Sequence, residues 1–292
     1  MTNHRKLQRA LFRMQLDAEL AAAVFAEDQT ALESLGLGPK EHALLLQTSL
    51  AAVSADPGGR RRTQVLANAS SEFMLSLLVA GSVDQAFLQE FGHSPELHRA
   101  IDQDTALPFA FADYAEGWAE AQDLRALVHL IGLERGLAHT RRAHRQTDQA
   151  LLPVGTDLRL PPGTRLLRLP RGIFTFAGDL RVALDGGRTL PDAPDIDEEQ
   201  LEVTVIVPRP GGSIHSLAQV HAETLAAPAD ELFLRLALSG QAAGRDSGLP
   251  PGAGPAFDAS ARADFAREAG ASPEDLEAFI EGLISEGLLV RC

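Results

Sequence analysis

Cysteine is almost missing from this chain: of 292 residues only Cys292, the last, is one. That rules out an internal disulfide framework and a cysteine-based zinc site. Aromatic residues are few, with a single Trp and a single Tyr. Basic residues are outnumbered, 26 Lys and Arg against 40 Asp and Glu, for a formal net charge of −14. Phosphate backbones and anionic membranes are poor partners for such a chain. No apolar run approaches the ~20 residues of a membrane helix. The opening MTNHRKLQRA leads straight into a charged amphipathic pattern and not a signal peptide. A soluble, cytoplasmic protein is the expectation.

Chemistry-bearing motifs are also missing. There is no G-x-S-x-G, Walker loop, G-x-G-x-x-G, HExxH or HxH. His93 and His98 are five apart, His139 and His144 likewise, and His215 and His221 six apart. Metal ligands on one helix want a spacing of three or four. No metal and no other cofactor is therefore expected in this chain, and no catalytic residue is assigned.

What is present divides in two. Up to Gln146 the chain carries 14 basic and 18 acidic residues and four prolines; beyond it, 12 basic and 22 acidic residues and thirteen prolines. Proline at that density ends helices and suits short strands and turns. The expected architecture is α+β: an all-helical domain over 1–147, then a winged-helix-like α+β domain over 148–292.

In the first part, Leu7, Leu11, Met14, Ala18, Ala21 and Phe25 recur at helical steps and predict one helix. Gly38-Pro39 opens a second, carrying Leu44, Leu45, Thr48 and Ala52. Ser82-x-x-Gln85 has capping-box spacing, and Ser94-Pro95-Glu96 marks another start. A long helix is predicted from about Gln122 to His144. Glu134 falls on or beside its apolar face. A buried carboxylate needs a partner, so Glu134 reads as one half of a structural ion pair with an arginine such as Arg60, Arg61 or Arg62. General acid or metal ligand is the competing role.

In the second part, Arg165–Leu169 and Ile173–Phe176 flank Pro170-Arg171-Gly172 and predict a hairpin. LEVTVIV over 201–207 is the strongest strand, rich in β-branched residues. A helix is predicted near 229–239, then a Gly/Pro-dense loop from Gly244 to Pro255. Asp258 starts a helix that stops at Gly270. Ser272-Pro273 starts a last one bearing Leu276, Phe279, Ile280 and Leu283, and Leu288–Val290 returns as a short strand. Two helices about a tight turn, flanked by strands, suggest DNA binding. The second helix carries Glu274, Asp275, Glu277, Glu281 and Glu286 and no Lys or Arg, which phosphates would repel.

Several stretches together resemble one family. These are Leu107-Pro108-Phe109, LVHLIGLE over 127–134 with Leu137-Ala138, Val205-Ile206-Val207-Pro208-Arg209, the spacing from Leu283 to Leu288, and LFRMQLDAEL over 11–20. They are similar to the partner subunits of methanobactin- and thiaglutamate-type biosynthesis, whose helical domain bears an old DNA-binding label. The resemblance implies a non-catalytic subunit of a heterodimer. Its companion is an iron-dependent enzyme with a triose-isomerase-like barrel, a multinuclear iron oxygenase that modifies peptide cysteines. Iron is then expected in the companion and none here. The C-terminal domain would hold the leader of a ribosomally made precursor peptide, with Val203, Val205 and Val207 on the strand side and Leu276, Phe279, Ile280 and Leu283 on the helix side. A winged-helix transcriptional regulator is the alternative. The Gly244–Pro255 loop departs from the family pattern.

Overall fold

The structure, a computed structural model, describes residues 4–53, 60–147, 158–161, 163–187, 189–208, 220–225, 229–233, 236, 259–286 and 288–291. The chain packs as two compact units, Met1–Ile131 and Gly132–Cys292. The division falls inside one continuous helix, Arg125–Thr147, whereas the composition shift lies at that helix's C-terminal end.

The first unit is helical throughout its described residues. Its opening segment is two helices and not one, His4–Leu16 and Ala18–Phe25. Asp17 makes the break: its backbone is extended, and its carboxylate accepts the Leu20 N–H at 2.9 Å. A short acidic side chain that caps a new helix start outcompetes continuation of the old one. The helix opened by Gly38-Pro39 is likewise interrupted. It runs over Pro39–Leu46, and a separate turn of helix occupies Leu50–Val53. Thr48 donates its hydroxyl to the Leu45 carbonyl at 2.6 Å, using up an acceptor at the helix end. Ser82 is no cap. It lies within the Met74–Val83 helix and donates to the Val79 carbonyl at 2.6 Å. Ser94 does cap, accepting from Leu97 N–H at 3.2 Å, with Pro95 in the first turn of Pro95–Gln103.

The centre of this unit is aromatic. Phe73, Phe87, Phe91 and Phe111 are fully buried. Phe111 sits 5.2–5.9 Å, ring centre to ring centre, from each of the other three. Phe87 stacks edge-on to Trp118 at 4.8 Å. Tyr114 closes the group, its hydroxyl 3.4 Å from Glu90. Burial and that carboxylate push the phenol above its ordinary range.

The second unit is built on a three-stranded antiparallel sheet in the order β2 (Arg165–Pro170), β3 (Leu201–Pro208), β4 (Val220–Leu225). A two-stranded ribbon pairs β1 (Leu158–Arg159) with β5 (Val290–Arg291), so the chain does return as a strand after its last helix. β3 is central and buried from Val203 to Pro208. Five successive β-branched residues, Val203 to Val207, fit a strand covered on both faces.

Each face of β3 has its own cover. On one, Gly136 of the Arg125–Thr147 helix lies against the sheet: a β-carbon there would sit 2.7 Å from Leu167 and 2.9 Å from Ile206. Glycine is what permits so close an approach. On the other, Val203, Val205 and Val207 join a core with Leu232, Phe233, Phe265, Leu276, Ile280 and Leu283. That core draws on the last two helices, Ala259–Ala269 and Pro273–Ser285. Gly270, at φ +68°, makes the turn between them, and Ser272 caps the second by accepting from Asp275 N–H at 3.1 Å.

The hairpin expected about Pro170-Arg171-Gly172 does not form. Only its first arm is a strand; Ile173–Gly186 is a helix. Ile173, Phe176, Ala177, Leu180 and Ala183 bury one helical face, a period that the four residues IFTF are too short to display. Gly172, at φ +89°, turns the chain from strand to helix. The helix predicted near 229–239 is present over 229–233. Asp258, Gly287 and the Gly244–Pro255 loop lie outside the described residues. The coarse α+β class therefore holds, as helices with a small antiparallel sheet.

Candidate functional site: the sheet of the second unit

Six of the seven residues grouped for peptide binding are core. Val203, Val205, Val207, Leu276, Ile280 and Leu283 are each at most 8% exposed and belong to one cluster. Phe279 alone is partly buried, packed against that cluster from its rim. A peptide could reach the six only by opening the core. β3 is also paired on both sides, with Leu166 opposite Val205 on β2 and Glu223 opposite it on β4. No further strand can add beside it. Strand order, which local sequence does not encode, is what makes β3 central and β2 and β4 its outer neighbours among the described residues.

Among the described residues β2 and β4 each pair on one side only. Every second residue of such a strand turns its N–H and C=O outward, ready to bind another extended chain. The two edges differ in charge. β4 reads VHAETL, and its His221 Nε2 lies 3.1 Å from Glu223. β2 reads RLLRLP and continues into Arg171. Arg165 and Arg168 are exposed, and among the described residues neither forms a salt bridge. Arg171 lies 3.7 Å from Glu202. Beside Arg165, the helix over the sheet presents Arg135, His139 and Arg142, four residues and three residues apart. Burial first, then the positive charges of Arg165, Arg135 and Arg142, hold the His139 imidazole below its ordinary value.

The acidic rim of the last helix is exposed at Glu274, Asp275 and Glu281. Glu277 is half-buried and lies 3.5 Å from Arg262. Glu134 is 5% exposed and engaged by a polar or charged partner. The side chains of Arg60, Arg61 and Arg62 lie outside the described residues.

A second polar cluster, within the first unit, escaped the spacing argument. His93 Nδ1 is 3.1 Å and His98 Nε2 3.6 Å from the two oxygens of Asp17. Arg13, buried, donates to the Ser34 carbonyl at 2.9 Å and to Asp102 at 3.0 Å. The two histidines, five apart and unable to share a helix face, converge on a carboxylate far away in sequence. Among the described residues no three His, Cys, Asp or Glu side chains are arranged to hold a metal ion. His144 and His215 contribute no described side chain.

His98 is held below its ordinary value, by burial first and then by Arg13, with His93 adding to the effect and Asp17 and Asp102 opposing it. The unfolded chain, where histidine titrates near 6.5, therefore binds protons that the folded chain refuses. Stability is then lost as pH falls below about 6.5. His139, also lowered, acts in the same direction. We expect His98→Gln to shrink the loss of unfolding free energy between pH 7 and pH 5, measured by urea titration at each pH. An identical pH profile in variant and parent would contradict this account of His98.

Among the described residues no single helix is long and apolar enough to cross a membrane; one bent pair, Thr63–Ser70 with Met74–Val83 at 117°, meets that test only jointly. No family model matches the chain, and neither a curated protein nor a solved structure does.

Proposed function

We propose that this chain is a non-catalytic partner subunit that binds the leader of a ribosomally made precursor peptide and presents the peptide's core cysteines to an iron-dependent oxygenase subunit. The observation that carries the reading is a small antiparallel sheet, packed on both faces by helices, whose outer strands each pair on one side only among the described residues. Strand addition gives affinity through main-chain hydrogen bonds, whatever the peptide's side chains. Side-chain selection then falls to groups beside the edge. The winged-helix character of the unit, its pairing with a barrel-type iron enzyme and a cytoplasmic site of action belong to the same proposal. A DNA-reading role is disfavoured by the acidic surface of Pro273–Ser285.

Co-expression with a barrel-type iron enzyme encoded beside this chain tests the subunit role. The two should copurify, and a short cysteine-containing peptide encoded with them should be retained only when this chain is present. An iron enzyme that modifies that peptide equally well without this chain would overturn the proposal. Phe279→Ala separates the rim of the last helix from the strand edge: the variant should keep its fold and its peptide, since Phe279 is only partly buried against the filled core and belongs to the helix and not to the edge strand. Loss of peptide from a folded Phe279→Ala protein would return the binding site to that helix.

A further inference from the structure

We infer that the outer edge of β2 is an acidic-peptide site, binding an extended glutamate- or aspartate-rich segment as a fourth strand with Arg165 and Arg168 as its charge partners. This rests on the peptide-capture reading and adds the chemistry of the occupant.

The inference starts from an imbalance. The chain as a whole is strongly acidic, and beyond Gln146 it has 12 basic residues against 22 acidic ones. Yet three of those basic residues fall at every third position of one edge strand and its turn, Arg165, Arg168 and Arg171. Residues 165 and 168 point to opposite faces of the sheet, so guanidinium groups flank the edge on both sides. On the Arg165 side, Arg135 and Arg142 add to the positive field, both close enough, with Arg165, to depress the His139 imidazole between them. Glu202 offsets Arg171, which leaves Arg165 and Arg168 as the pair with no salt bridge among the described residues. Arginine matches a carboxylate with two parallel N–H donors, so an acidic side chain on either face of an added strand finds a directional partner. The other edge cannot do this: β4 carries no Lys or Arg and already has Glu223 beside His221.

Charge on an edge strand can instead serve only to keep copies of a protein from pairing. Replacing the arginines with glutamates preserves that protection while inverting the charge. The double variant Arg165→Glu with Arg168→Glu therefore separates the two roles.

The probe is a fluorescein-labelled peptide alternating glutamate and valine, followed by fluorescence anisotropy on the full chain. Three comparisons accompany it: the lysine-for-glutamate peptide, a proline-interrupted acidic peptide and a DNA duplex. The acidic peptide should bind, more weakly as salt rises, and the lysine and proline peptides should not. The double variant should weaken the acidic peptide by about tenfold or more and gain affinity for the lysine peptide. Equal binding of the acidic peptide by parent and double variant would overturn the inference. So would preference for the lysine peptide, tight binding of the duplex through the same arginines, or no binding of any peptide. None of these decides the subunit role, which stands or falls on copurification with the iron enzyme.

Discussion

If Glu134 is one half of a buried ion pair, as we propose, Glu134→Ala should cost about 3–5 kcal/mol of folding free energy, the usual penalty for leaving the other half alone. Glu134 is 5% exposed, on a helix whose neighbouring residues Leu133, Ile131 and Ala138 are buried as well. A buried carboxylate needs a partner, and Glu134 has one. Removing the side chain strands the partner's polar group in an apolar setting, where desolvation is no longer repaid. Glu134→Gln keeps the shape and much of the hydrogen bonding, and should cost less than the alanine. Guanidinium titrations followed by far-ultraviolet dichroism check both. A Glu134→Ala protein as stable as its parent but functionally dead would show a catalytic or binding carboxylate instead.

Phe111→Ala should be comparably damaging, at about 3–5 kcal/mol. Phe111 is wholly buried and stands among Phe73, Phe87 and Phe91 at ring-centre distances of 5.2–5.9 Å. Its loss removes three ring contacts and leaves a cavity that rigid helices on several sides cannot refill. Trp118, the chain's one tryptophan, packs on Phe87 at 4.8 Å and reports on the same core. Its emission should shift in the folded variant, and its denaturation midpoint should drop. A midpoint within error of the parent's would mean that the four-ring core is not what holds the first unit.

Local signals in the sequence carried as far as single elements. Ser94 and Ser272 cap where their spacing says, because capping needs only a hydroxyl and the N–H three residues on. LEVTVIV is a strand because β-branching and burial act residue by residue. The same logic fails at Ile173–Phe176, four residues too short to distinguish a helical from an alternating period. It also ran one helix through Asp17, whose cap and whose pairing with His93 are tertiary as much as local.

The site was less legible than the elements. Val203, Val205 and Val207 are good strand residues, and that is what makes them core. Which strand ends at an edge depends on pairing between segments far apart in the chain, such as Arg165 with Ile206. The arginine repeat in β2 was visible as letters. Its meaning rests on β2 having one strand neighbour and not two among the described residues. The convergence of His93 and His98 on Asp17 likewise exists only in three dimensions.

The most direct test of peptide capture is amide hydrogen exchange of the full chain, with and without the cysteine-containing peptide encoded beside it. Strand addition at β2 predicts slower exchange concentrated in residues 163–170, with Met1–Ile131 unchanged. Protection confined to Met1–Ile131, or no protection anywhere at saturating peptide, would contradict a leader-binding role for the second unit.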